Sequence, residues 1–319
     1  MKKLLMITML TAAILLSGCM ESIEINERAF VTVMAMDRSG DNISVTLKTD
    51  GKNGESNISG TGKTIAEALR NAELSLPDGT TLFTGHTQLF IAGKSVVPDS
   101  GLVRLLTAEY GVPPSCKAVC AFNGGDAARS VSDDPEKQMD YAERQGLIKS
   151  VTLAEISRKD CGGFFALPFA EYENNDVFFL KTAFITPGGG KVVTDRDENA
   201  GYMLLSGNAD GILADISTSC GYGALTVTKA NPEFEFTAED GKSVCRVNLT
   251  AQLKTDEKCG KSGSDVPKDE VLKLSAENAL KKYCTELIDK TDAWQPLCTG
   301  EPGIIADRTE LNISVKLSG

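Results

Sequence analysis

The chain has 319 residues, 41% of them hydrophobic, with 44 acidic side chains against 33 basic ones and a net charge of −11. Such a surface repels phosphate backbones and anionic headgroups, which argues against a polybasic membrane role or a nucleic-acid partner. The length exceeds what one hydrophobic core comfortably serves, so two or three domains are expected.

The first element is an export signal. Lys2 and Lys3 precede an apolar run from Leu4 to Leu16, which at 13 residues falls short of the roughly 20 that span a bilayer. The run ends in Leu16-Ser17-Gly18-Cys19, where small residues before a cysteine resemble a bacterial lipobox. Residues 1–18 are therefore expected to be a lipoprotein signal peptide, and Cys19 the lipidation site, taking a diacylglyceryl group and becoming the first mature residue. The alternative is an uncleaved anchor, or a plain secretory peptide with a chance cysteine. Removing 1–18 takes two lysines and no acid, which leaves 31 bases against 44 acids and a net charge of −13. No later segment reaches transmembrane length, so the lipid would be the sole anchor, and two acyl chains hold where one is marginal.

Downstream, Ala29 to Asp37 and the alternation Ile43, Val45, Leu47 predict a hairpin about the turn Arg38 to Asn42. Asp50 to Gly62 is polar and reads as a loop. Thr64-Ile65-Ala66-Glu67 is a capping box opening a helix striped by Ile65, Ala68, Leu69 and Ala72. A strand is expected over Leu82 to Ala92, a helix over Leu102 to Tyr110 and a strand over Cys116 to Phe122. Helices follow over Asp126 to Val131 and Glu136 to Lys149, and Thr152 to Glu155 is a second capping box. After Pro168 the texture changes. Val177 to Thr186 and Lys191 to Thr194 flank Pro187-Gly188-Gly189-Gly190 as a hairpin, with a helix over Glu198 to Leu205. Strands are expected over Ile212 to Ser217, Ala224 to Lys229 and Arg246 to Leu253, then a charged loop over Thr255 to Asp265. A helix carries Leu272, Ala276, Leu280, Tyr283 and Leu287 on one face, with Asp269 and Glu270 at its positive end. The closing alternation Leu311, Ile313, Val315, Leu317 is a half-buried strand of an antiparallel or mixed sheet.

Eight cysteines follow Cys19, an even number that permits a disulfide framework with 105 pairings. Cys116 and Cys120, on one face of a strand about 13 Å apart, are too distant to pair with each other. Cys245 falls in the apolar phase of its strand. Mostly buried thiols are favoured over several disulfides. With no C-x-x-C pair and a single histidine, no metal site is expected. Gly62-Lys63-Thr64 lacks the first glycine of a phosphate loop, since Asn57 stands there, and Gln88 spoils Gly93-Lys94-Ser95 in the same way. His86, the only imidazole, lies beside Gly85 in the expected strand and reads as a hydrogen-bonded structural residue. With no G-x-S-x-G and no H-E-x-x-H, no catalytic residue and no cofactor are expected.

The order of elements resembles a known family, the C-subunit lipoproteins of spore germinant receptors (the Ger(x)C family). Glu24-Ile25-Asn26-Glu27, Ala29-Phe30-Val31 and Asp37 are similar to its opening strand with an acidic end. Thr64 to Ala68, Gly85-His86 and Leu89 to Gly93 look like its next helix and strand. Leu167-Pro168, Thr182 to Phe184, Lys191 to Val193, Glu198 and Leu204-Leu205 resemble the start of its C-terminal region. Met20 departs from the family's usual tryptophan after the lipid cysteine, the C-terminal section is short, and cysteine is abundant. The resemblance implies a non-enzymatic ectodomain lipid-anchored to the outer face of the cytoplasmic membrane, the spore inner membrane. Its partners would be integral-membrane A and B receptor subunits, in nutrient-triggered germination. The alternative is a lipid-anchored solute-binding protein of a transporter. The expected fold is α+β and multi-domain, each domain a mixed or antiparallel sheet packed with helices. The expected divisions are an N-terminal domain over 19–170, a small middle domain over 171–235 and a C-terminal domain over 236–319.

Overall fold

The computed structural model describes residues 27–318 apart from 52–53, 94, 133, 159–162, 174–175, 262–265 and 302–303. The signal segment, Cys19 and Cys161 lie outside the described residues. The fold is α+β, as expected, and is built on two mixed sheets with helices packed against each.

β1 (Arg28–Ser39) and β2 (Asn42–Asp50) form the expected antiparallel hairpin, turning at Gly40 with φ 58°. A bulge between Val31 and Val33 shifts the phase of β1. Val31 therefore shares a face with Met34 and Met36, while Val33 and Ala35 point to the other. Both faces are covered, which is why β1 reads as an unbroken apolar run.

The stretch expected to be a loop contains β3 (Ser56–Gly62), paired antiparallel with β2. Its inward positions are Ile58, Gly60 and Gly62, so only one carries an apolar side chain. Glycine is required there, because a Cβ on Gly60 would lie 2.1 Å from the Ala68 carbonyl of α1 (Ile65–Glu73).

The expected strand Leu82 to Ala92 is broken into β4 (Thr81–Phe83), a helical turn at Thr84–His86 and β5 (Leu89–Ala92). β4 and β5 pair parallel with successive parts of β1, and the turn steps the chain between them. α2 (Ser100–Arg104) continues through a wider turn, Leu105–Glu109, and leads to β6 (Lys117–Cys120). The helices α3 (Gly124–Ser130), α4 (Pro135–Arg144) and α5 (Leu153–Arg158) follow. β7 (Phe165–Glu173), β8 (Asp176–Ile185) and β9 (Lys191–Val193) complete a sheet in the order β3-β2-β1-β5-β6-β7-β8-β9, with β4 beside β1. β1, β5, β6 and β7 run parallel at its centre. α1, α2 and α5 pack one face; α3 and α4 pack the other.

The second sheet has the order β10 (Leu213–Ser217), β11 (Gly221–Glu239), β12 (Lys242–Gly260), β13 (Arg308–Ser318). β12 and β13 are parallel and the other pairs antiparallel. β11 and β12 run well beyond the expected strands, and the charged run Thr255 to Gly260 is the end of β12. One face carries α6 (Arg196–Leu205), α7 (Asp269–Lys290) and α8 (Trp294–Thr299). On α7 the buried stripe is Leu272, Ala276, Leu280, Cys284 and Leu287; Tyr283, expected among them, is half-buried. β13 is an edge strand, and Glu277 of α7 accepts from its Val315 N–H at 3.1 Å.

The divisions expected at residues 170 and 235 both fall inside strands, β7 and β11. Residues 176–193 complete the first sheet, whereas 213–239 form half of the second. The two halves meet where Phe184 of β8 packs edge-on against Tyr202 of α6, 4.9 Å between ring centroids. Beside them Asn199, 3% exposed, accepts from the Thr182 hydroxyl at 2.7 Å and donates to the Leu147 carbonyl at 2.6 Å. A buried amide is held only where each of its polar atoms finds a partner. This one ties α6, β8 and the segment after α4 together.

Candidate functional site

The parallel strands β1, β5 and β6 end side by side, and polar groups gather at their carboxyl ends. In parallel sheets this edge is the usual place for a site. Asp37 stands near the end of β1 and accepts from the Gly124 N–H at 3.0 Å and the Gly125 N–H at 2.9 Å. Those are the first residues of α3, whose opening N–H groups have no partner within the helix. Asn123 adds a conventional cap, its side-chain oxygen accepting from the Asp126 N–H at 3.1 Å. At the other end of α3, Lys48 donates to the Val131 carbonyl at 3.1 Å. A carboxylate thus sits at the positive end of the helix and an ammonium at the negative end, each from a different strand.

Gly93 follows β5 and donates to the Met36 carbonyl at 2.8 Å. A Cβ there would fall 1.8 Å from Asp37 Oδ1, so the approach of β5 to Asp37 requires glycine. Lys191 of β9 reaches across to donate to the Gly93 carbonyl and, at 3.5 Å, to that of Ala92. Burial lowers the Lys191 pKa, opposed by Cys120 and by Asp37. The Cys120 thiol is pushed up to about 11 by burial. Asp37, Gly93 and Lys191 come from three separate motifs that carry the family resemblance, and the fold brings them together.

Outside this cluster lies an open groove of about 480 Å³. One wall is a ladder of hydroxyls across β2 and β3, with Ser44 and Thr61 3.1 Å apart and Thr46 and Ser59 3.3 Å apart. The other wall is α3, where Arg129 of the last turn donates to Asp126 at 3.0 Å and to Ser59 at 3.3 Å. Asn123 donates to the second Asp126 oxygen at 2.6 Å. Phe122 lines the mouth, 66% exposed, its ring set against buried Phe169 at 4.8 Å. Each of these groups is held by a neighbour, and together they present hydrogen-bond donors and acceptors to the groove.

His86 does not lie in a strand. It occupies the turn between β4 and β5, exposed, with its ring edge-on to Phe30 at 5.1 Å and tilted against Phe83 at 5.7 Å. Arg28 lies over the Phe83 ring at 5.1 Å. His86 contributes ring packing rather than the hydrogen bond expected from the sequence. Thr64 accepts from the Glu67 N–H at 3.1 Å, while Glu67 accepts from Lys63 N–H at 2.8 Å, one residue earlier than a strict capping box. The seven described cysteines other than Cys19 and Cys161 are free thiols; Cys116, Cys120, Cys245 and Cys284 are buried, and Cys259 is exposed. Among the described residues no group of three or more His, Cys, Asp or Glu side chains is arranged to hold a metal. No described helix is long and apolar enough to cross a membrane.

Sequence reasoning noticed Asp37 only as an acidic strand end and missed Lys48, Phe122 and Asn199 as structural or site residues. Asn123-Gly124-Gly125-Asp126 did carry a readable cap signal. The partners of Lys48 and Asn199 are carbonyls distant in the chain, and nothing local marks them.

Comparison with known proteins gives three concordant findings. Residues 21–108 match the family model described as the spore germination protein N-terminal domain. The putative spore germination protein YfkR of Bacillus subtilis (strain 168) is 23% identical over 281 residues, spanning 76% of this chain and 72% of that protein. The crystal structure of the GerBC protein shares the fold with a TM-score of 0.53 at 13% identity, covering 90% of this chain and 97% of that one. Together they bear out the resemblance to the C-subunit family of spore germinant receptors.

Proposed function

We propose that this relative of the germinant receptor C subunits is a non-enzymatic, lipid-anchored subunit that assembles with integral-membrane A- and B-type subunits in spore germination. The observation that carries the reading is the match to a spore germination domain over residues 21–108, beginning two residues past the lipobox cysteine. Cys19 and Ala29 are separated by ten residues, a tether of at most about 35 Å. The folded body then sits close to the bilayer, within reach of the outer loops of membrane partners. Confinement to the membrane raises the effective concentration, so a modest contact surface suffices.

A transporter's solute-binding protein is the weaker reading. That class closes two similar lobes on a ligand at a hinge. Here the two sheets differ in strand order and direction, and Asn199 and Phe184 pack the halves together.

The test is a Cys19→Ala strain. Wild-type protein in the spore membrane fraction carries a diacylglyceryl adduct by intact mass, and the variant lacks it. Nutrient-triggered germination slows in the variant, while germination triggered downstream of the receptors is unchanged. A wild-type protein without the lipid adduct overturns the anchoring.

A further inference from the structure

We propose that the groove between the β2–β3 hydroxyl ladder and the start of α3 binds a neutral saccharide. This inference does not depend on the receptor reading, and rests on the chemistry of the groove itself.

Phe122 is the first sign. Its ring is 66% exposed, yet packing against Phe169 at 4.8 Å holds it in place. A fixed ring offers its electron-rich face to a flat ligand whose edge atoms carry partial positive charge. The C–H groups of a pyranose, polarised by neighbouring oxygens, have that character.

The groove beside the ring supplies what the hydroxyls of such a ligand need. Asp37 and Asp126 offer carboxylate oxygens, each able to accept from more than one hydroxyl. Ser44 and Thr61 are amphoteric hydroxyls paired with each other, so either can turn to donate or accept. Arg129 and Asn123 are fixed donors, held by Asp126. Because these groups are already oriented, little side-chain entropy is lost on binding.

Charge and shape exclude the competing ligands. Two carboxylates against one guanidinium disfavour phosphates and uronic acids, and with them the nucleotides that also stack on aromatic rings. Apart from Phe122 the lining is polar or backbone, so a lipid tail finds no apolar wall. About 480 Å³ is within the usual range of small-ligand sites and leaves room for a hexose ring.

The test is saturation-transfer NMR on the full chain in a detergent with no sugar headgroup. The probes are D-glucose and N-acetyl-D-glucosamine, with D-glucuronate and glucose 6-phosphate as anionic controls. Neutral sugars should receive saturation and the anionic ones much less. Phe122→Ala should weaken the affinity about tenfold or more with Tm nearly unchanged, since the ring is largely outside the core. If Phe122→Ala fails to fold, Phe122→Leu keeps the contact with Phe169 but removes the ring face, and should lose binding equally. The proposal is overturned if no neutral sugar receives saturation, if the anionic sugars bind as well, or if the folded Phe122 variant binds as wild type does.

Discussion

Cys259 shows how one side chain's neighbours set its reactivity. It lies on the exposed end of β12, its thiol donating to Glu257 Oε1 at 3.4 Å. That hydrogen bond and the negative charge of Glu257 raise the thiol pKa. A raised pKa means less thiolate at a given pH, and the thiolate is the species that reacts. Alkylation of Cys259, followed by peptide mapping, should therefore speed up near neutral pH in Glu257→Gln, with the rate–pH profile moved to lower pH. An unchanged profile would show that Glu257 does not hold the thiol. Cys120 and Cys245, pushed up to about 11 by burial, should stay unlabelled until the protein unfolds. Much of this was readable in the sequence, since Cys245 alternates in phase with Val247 and Leu249. The place of Cys259 on a strand was hidden, because the charged residues around it read as a loop.

At the scale of elements, α3 is the instructive case. It is seven residues long, too short to persist on its own helix propensity. It is held by burial of Ala127 and Ala128 and by Asp37 and Lys48 at its ends. Asp37→Ala leaves two backbone N–H groups without their acceptor and should cost about 1–2 kcal/mol, read as a fall in Tm of a few degrees. Gly93→Ala places a Cβ on the Asp37 carboxylate, so it should cost more in wild type than in the Asp37→Ala background. That non-additivity is the mark of direct contact, and strict additivity would refute the close approach of Gly93 to Asp37. Elements with a strong apolar period were legible from sequence: the β1–β2 hairpin, the α7 stripe and the alternation of β13. β3 was not, because its inner face is built from glycine so that α1 can lie close. The far half of β11 was missed for another reason. Phe234 and Phe236 are only half-buried, and Glu233 and Glu235 face outward, so the sequence there reads as polar.

Across the whole molecule, the sequence pointed to α+β architecture, and the structure adds how the parts are shared out. Strands that follow Pro168 in the chain return to the first sheet, which local texture could not reveal because pairing partners lie far apart in sequence. The result is one body with a core on each face of the first sheet and another on the second, its halves joined at Phe184, Tyr202 and Asn199. The candidate site depends on the same long-range assembly: Asp37, Gly93 and Lys191 were visible as separate motifs, but their meeting was not. On the proposed reading, a short tether holds this body near the bilayer, where it docks against membrane proteins. The most direct measurement is crosslinking in spores, followed by detergent extraction and mass spectrometry of whatever co-purifies with this chain. The account predicts A- and B-type receptor subunits in the wild type, with recovery reduced in Cys19→Ala. Recovery of transporter components alone, in spores whose nutrient responses survive deletion of the gene, would contradict it.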